Sequence, residues 1–173
     1  MVVVMRVEEG PQTIVSAIEV TGNRSLTEAD LTAGLATRVD GPLYEPDVQA
    51  DRDRMLVTYL NLGYRAAQID ASVTVSADRR SARVRFAIQE GPKVYVDHVL
   101  VVGNNRVSEA TIRRELLLKP GEPLGLQAIE DSQRRLAALG VFRRVTLSEL
   151  QHEADDRRDI LVTVEEAPAT TLG

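Results

Sequence analysis

Cysteine and tryptophan are absent from this 173-residue chain, and aromatic residues of any kind are scarce, with four Tyr and two Phe. Without Cys there can be no disulfide and no thiolate metal site, although that absence does not decide the compartment. So few rings leave little for bases to stack on, and 26 acidic against 21 basic side chains, net charge -5, provide no clustered cations. Nucleic acid is therefore not an expected partner. No apolar run reaches the roughly 18 residues of a membrane-spanning helix. The start Met1-Val2-Val3-Val4-Met5 lacks the basic flank and the length of a signal peptide. What is present, 43% hydrophobic and 27% charged residues, is the composition of an ordinary folded chain rather than a disordered one.

The chain then says much the same thing twice. Ile18-Glu19-Val20-Thr21-Gly22-Asn23, followed by Leu26-Thr27-Glu28-Ala29, returns as Val99-Leu100-Val101-Val102-Gly103-Asn104, followed by Val107-Ser108-Glu109-Ala110. A period of about eighty residues is longer than a solenoid unit, so each copy can close a core of its own. Val7-Glu8-Glu9-Gly10-Pro11, Ile88-Gln89-Glu90-Gly91-Pro92 and Val164-Glu165-Glu166-Ala167-Pro168 close a β-rich stretch three times. The first of these precedes any copy that could own it, so residues 1–11 are expected to be the last strand of a further copy upstream and the chain a fragment. The expected divisions are 1–11, a domain at 12–91, a domain at 92–168 and, at 169–173, the start of a connection to something downstream.

Within the first copy, Ile14 to Thr21 reads as a strand leaving through Gly22-Asn23. Thr27 can cap a short helix with Glu28 and Asp30 in its first turn and Leu31 and Leu35 on its apolar side. After the break at Gly41-Pro42, Pro46 opens a second helix in which Val48, Met55, Leu56, Tyr59 and Leu62 recur near the 3.6 period until Gly63. Ala67 to Val75 and Ala82 to Ile88 alternate apolar and polar residues about the turn at Asp78-Arg79-Arg80, as a hairpin does. The second copy repeats the order: a strand from Val94 to Val102, a helix from Ser108, a break at Pro120-Gly121, a helix carrying Ile129, Leu136 and Leu139, and a hairpin turning near Gln151 to Asp156. Each unit is β-α-α-β-β, an α+β module whose two helices bury one face of a three-stranded sheet and leave the other to water.

The strand ending in Gly-Asn, the paired helices, the Gly-aromatic step at Gly63-Tyr64 (Gly140-Val141-Phe142 in the second copy) and the closing Glu-Gly-Pro resemble POTRA domains, the polypeptide-transport-associated modules of BamA-type outer-membrane β-barrel assembly proteins. The resemblance covers nearly the whole chain. It implies two tandem modules with mixed sheets in which the first strand pairs in parallel with the third, leaving the first and second strands as edges. It further implies that 92–168 is the barrel-proximal module. The implied role is that of a scaffold on the periplasmic side of the bacterial outer membrane, binding unfolded β-barrel precursors and accessory subunits, in a full-length protein embedded through a C-terminal β-barrel. A secretion transporter, or an adaptor that uses such modules without a barrel, is the alternative.

Catalytic chemistry finds no footing in the residues. His98 falls in a predicted strand and His152 in a polar turn, without partners at triad or metal-ligand spacing, so no catalytic residue, metal ligand or cofactor is expected. Glu153 to Asp159 lacks the Gly and spaced oxygens of a calcium loop and reads as a solvated hairpin tip. Asp51-Arg52-Asp53-Arg54 reads as the solvated face of a helix. What remains is interaction through backbone. A three-stranded sheet has two edges, each a row of N–H and C=O groups that another chain can complete by β-augmentation. The expected partner-binding strands run from Ala67 to Val75 (Gln68, Ile69, Asp70, Ser72, Thr74) and from Phe142 to Leu150 (Arg144, Val145, Thr146, Leu147). Glu90, Gly91 and Pro92 form a short stiff linker and are the expected hinge between the copies.

Overall fold

The computed structural model describes residues 12–151 and 156–168. The upstream strand expected over 1–11, His152 and the connection expected over 169–173 lie outside the described residues. Ten elements follow in order: β1 (Ile14–Thr21), α1 (Glu28–Thr32), α2 (Glu45–Asn61), β2 (Gln68–Val75), β3 (Ser81–Gln89), then β4 (Tyr95–Val102), α3 (Glu109–Glu115), α4 (Leu126–Ala138), β5 (Phe142–Gln151) and β6 (Arg157–Glu166). They build two three-stranded sheets, β1-β3-β2 and β4-β6-β5, each with its last strand in the middle, parallel to its first and antiparallel to its second. The expected mixed-sheet β-α-α-β-β module is thus present twice. By packing, the chain divides into Met1–Leu56 with Gln68–Gln89, and Val57–Ala67 with Glu90–Gly173.

In the first unit the alternation of β3 places Ala82, Val84, Phe86 and Ile88 under the helices, all 5% exposed or less, against Val15, Leu31, Val48 and Met55. Burying an aliphatic or aromatic side chain of this size contributes about 1.5–3 kcal/mol. The second unit repeats the core with Val96, Ile112, Leu124, Leu136, Ile160 and Val162. The first helix of each unit is short and is held by its cap. Thr27 Oγ1 accepts from the Asp30 N–H at 3.1 Å while Asp30 Oδ2 accepts from the Thr27 N–H at 3.2 Å, a reciprocal box. Ser108 Oγ caps the Thr111 N–H at 3.2 Å in the second copy.

The repeated Gly-Asn step has a steric cause. Gly22 and Gly103 sit at φ +83 and +87, and a Cβ on either would lie 2.0 Å from the carbonyl oxygen of the central strand, Ile88 or Val164. Only glycine lets the outgoing chain pass that close. The following Asn then ties the turn, Asn23 Nδ2 donating to Leu26 O at 3.0 Å and Asn104 Nδ2 to Val107 O at 3.1 Å.

One expectation is overturned. Asp51 does not face water: it is fully buried, accepting the N–H groups of Ala36 and Thr37, both at 2.8 Å, from the segment between α1 and α2. Its position explains this, since Asp51 stands three residues after Val48 and four before Met55, on the apolar stripe rather than the solvated one. Ser132, also fully buried, is its counterpart in the second unit. Its Oγ accepts from the Leu117 N–H at 2.8 Å and donates to Ala128 O at 2.6 Å.

Candidate functional site

The two edges of each sheet are not equivalent. At the β1 edge, the loop before α2 pairs with the start of the strand: the Val15 N–H donates to Gly41 O and the Asp40 N–H to Val15 O, both at 2.8 Å. The same happens at β4, where the Val96 N–H donates to Glu122 O at 2.9 Å and the Gly121 N–H to Val96 O at 2.8 Å. The first strand of each unit is therefore blunted by its own chain, and the second strands, β2 and β5, carry the longer open rows.

In β2 the row can be assigned residue by residue. The Ser76 N–H donates to Ser81 O at 2.8 Å, closing the hairpin, and the β2–β3 register runs without a bulge from Gln68↔Gln89 to Val75↔Ala82. Bonded and non-bonded pairs alternate in an antiparallel ladder. Thr74, Ser72, Asp70 and Gln68 accordingly spend their backbone groups on β3, whereas Val75, Val73, Ala71 and Ile69 turn theirs to the open edge. Of the candidates expected here, only Ile69 offers outward backbone groups; Gln68, Asp70, Ser72 and Thr74 flank the edge with exposed polar side chains.

β5 differs in two ways. Its register shifts between Phe142 and Arg144, so the strand enters the sheet through a bulge at Arg143. The Val145 carbonyl is also already engaged, accepting from Gln133 Nε2 of α4 at 3.0 Å. That bond shows Val145 facing away from β6. By alternation Leu147 faces outward as well, while Arg144 and Thr146 bond β6. Beside this strand lies a cleft of about 290 Å³ lined by Leu126, Ile129, Leu147 and Ile160, with the Arg65–Glu149 ion pair at its rim. Gln133 was not singled out by the sequence, and nothing in its spacing marks a polar residue next to a strand edge.

The residues around the expected hinge are tied locally. Tyr59, fully buried and edge-on to Tyr64 at 5.6 Å, donates its hydroxyl to Glu90 Oε1 at 3.0 Å. Burial and the neighbouring carboxylate push that phenol well above its ordinary range. In the second unit, Glu166 at the end of β6 gathers the turn after β4. It accepts the N–H groups of Asn105 and Arg106 at 2.8 Å and of Val107 at 2.9 Å, and the Arg106 Nε at 2.8 Å. The Val107 N–H and the Arg106 guanidinium lead in lowering its carboxyl to about 2.

His98, without partners at triad or metal-ligand spacing in the sequence, has carboxylate neighbours in space. A shift in the β4 register between Val96 and Val99 sets it, with its chain neighbour Asp97, beside Asp159 of β6. Its Nδ1 lies 3.0 Å from Asp159 Oδ1 and 3.3 Å from Asp97 Oδ2. These three have the donor types of a metal site and are the one such group among the described residues. Local bonds already account for the arrangement, since Asp159 Oδ1 also takes the His98 N–H at 2.9 Å and Asp97 Oδ1 pairs with Arg157 at 3.1 Å. Among the described residues no helix is long and apolar enough to cross a membrane, which does not bear on β-barrels.

A family model described as "POTRA: Surface antigen variable number repeat" matches residues 13–91 and 94–167. Among curated proteins, the chain is similar to the "Outer membrane protein assembly factor BamA" of Nitratidesulfovibrio vulgaris, 26% identical over 170 residues, covering 96% of this chain and 22% of that protein. It is also similar to the "Putative outer membrane protein assembly factor" of Treponema pallidum, 29% identical over 147 residues, covering 79% of this chain and 18% of that protein. The chain thus spans about a fifth of the length of these relatives. Two solved structures share the fold at 20% identity. BamA from Haemophilus ducreyi lacking POTRA domains 1-3 aligns with a TM-score of 0.78 over 89% of this chain and 29% of that one. Haemophilus influenzae BamA POTRA3-5 aligns at 0.69 over 91% and 63%.

Proposed function

The chain belongs to the POTRA family, and on that premise we propose that it is a periplasmic, non-catalytic segment of an outer-membrane protein assembly factor that receives unfolded β-barrel precursors by strand addition. The relatives named as assembly factors support the setting. The observation that carries the mode of binding is the bulge-free β2 edge, with the backbone groups of Ile69, Ala71, Val73 and Val75 turned outward. An incoming extended segment completes up to four N–H and four C=O groups there. At about 0.5–1.5 kcal/mol per bond, against about 1–2 kcal/mol to order each peptide residue, the balance is near zero before side chains contribute. Weak, sequence-tolerant binding follows, which suits a handler of many clients. β5 is the second receiving edge, less open because Gln133 already holds Val145. Accessory subunits dock on the same scaffold, and Glu90-Gly91-Pro92 provides its bend.

The test uses the side of the strand that proline spares. Ala71→Pro removes an N–H that β3 does not use and puts the ring in the path of an added strand, a substitution an edge position tolerates. Titrating the 15N-labelled chain with peptides from outer-membrane β-strands should shift resonances along residues 69–75. Ala71→Pro should abolish those shifts while keeping the fold. Shifts confined to the helices, or unchanged binding by Ala71→Pro, would reject strand addition at β2.

A further inference from the structure

The two units carry different surfaces on the same side of the same sheet. Opposite its helices, the first unit is polar: Glu19 and Ser72 flank Arg85 across the strands, Thr21 and Asp70 flank Ala87, and Glu19 pairs with Arg83 at 3.3 Å. At the corresponding registers of the second unit, Leu100 and Ser148 flank Leu161, and Val102 and Thr146 flank Thr163. Leu150 continues the face beside Asp159. Leu100, Val102 and Leu150 are 42%, 43% and 39% exposed. Single exposed aliphatics are ordinary. Here, however, Leu100 and Leu161 are cross-strand neighbours occupying the very registers at which the other copy places Glu19 and Arg85, and the fold has no need of apolar residues there.

We propose that this open face of β4-β6-β5 docks an amphipathic helix of another protein, with aliphatic side chains on its buried stripe and carboxylates at one end. Two features select that occupant. Three strands spaced about 4.8 Å apart present a face about 10 Å wide, the diameter of one helix, and helices are what cover the reverse face of this sheet. At one end of the patch, Arg143 and Arg144, 69% and 72% exposed, share a single carboxylate, Glu165, at 2.9 and 3.9 Å. Two guanidiniums against one carboxylate leave a positive end for an acidic partner to meet. The face lies on a different surface from the strand edge that takes extended segments, so one chain can hold both partners.

The experiment titrates the 15N-labelled chain with a synthetic 18-residue helical peptide bearing leucines at i, i+3, i+4 and i+7 spacing and glutamates in its last turn. A second peptide carries lysines in place of the glutamates. Shifts are expected on residues 99–102, 143–148 and 160–163. The glutamate peptide should bind about two- to fivefold more tightly, the factor that an exposed ion pair supplies. Leu100→Glu combined with Leu161→Arg, which transplants the pair the first unit already carries, should weaken binding at least tenfold with little change in melting. Leu100→Thr, a milder change on the same strand, should weaken it to a smaller extent. Equal affinity for the two peptides, shifts elsewhere, or full binding by both variants would overturn the proposal. Patch-dependent dimerisation, or adsorption to phosphatidylglycerol and phosphatidylethanolamine vesicles without peptide binding, would assign the face to a second copy or a bilayer and overturn it equally.

Discussion

Asp51 gives the sharpest test of how the first unit is held together. Its two oxygens hold the Ala36 and Thr37 N–H groups at 2.8 Å, and the Thr37 contact is buried while the Ala36 contact is half-buried. Truncation to alanine strands both donors. A buried N–H left without a partner costs about 1–3 kcal/mol, and the half-exposed one less because water can reach it. Asp51→Ala should therefore destabilise the first unit by about 2–4 kcal/mol. At about 0.05–0.15 kcal/mol per residue, a unit of this size has only several kcal/mol to lose, and the melting temperature should fall by roughly 10–25 °C. Asp51→Ser should recover part of the loss, because Ser132 holds one N–H with a hydroxyl at the matching place in the second unit. The assay is urea unfolding followed by circular dichroism, with tyrosine fluorescence as a second probe. A loss below about 1 kcal/mol for alanine, or serine no better than alanine, would refute the claim that the carboxylate organises the segment between the helices.

Glu166 makes the second unit sensitive to acid. Its carboxyl is lowered from 4.5 to about 2, so the stabilisation it contributes is fully present above about pH 4.5 and is lost as pH falls toward 2. Glu166→Gln should flatten the stability profile of the second unit between pH 5 and 2, as read by thermal melts at stepped pH; a profile identical to that of the parent chain would count against the latch. Replacing Gly91 and Pro92 together with serine should broaden the distance distribution from small-angle scattering while melting changes by only a few degrees. An unaltered distribution would remove the bend from 90–92.

Much of the fold was legible because its signals are local. The Gly-Asn steps, the 3.6 period through Val48, Met55 and Tyr59, and the alternation of Ala82 to Ile88 each follow from one element's own residues. The parallel pairing of β1 with β3 came from the resemblance, not from periodicity, because pairing across some sixty intervening residues leaves no local trace. The misplacement of Asp51 had a different origin. Reading Asp51-Arg52-Asp53-Arg54 as a charge run weighed side-chain type over helical position, although spacing from Val48 already set Asp51 facing inward. The neighbour of His98 was not legible in the sequence, because a shifted strand register, invisible to a period-two pattern, sets Asp159 beside it. The edges were legible as strands but not as edges of unequal openness. The loop bonds at Val15 and Val96, and the Gln133 amide on Val145, join residues whose types say nothing about one another.

Duplication turns the second unit into a control for the first. What both copies share, such as the glycine under the central carbonyl and the buried polar residue holding the interhelical segment, is what the fold requires, because each copy met the same packing problem separately. What they do not share is free of that requirement and must answer to something else. Two of these differences bear on binding surface: an open β2 row against a β5 row bulged and partly occupied, and Glu19 with Arg85 against Leu100 with Leu161. On the proposed reading, the first would direct extended clients chiefly to the first unit and the second a helical partner to the second unit. Exchanging Glu-Arg and Leu-Leu between the copies should therefore weaken helix binding at the second sheet face and leave strand addition at β2 unchanged.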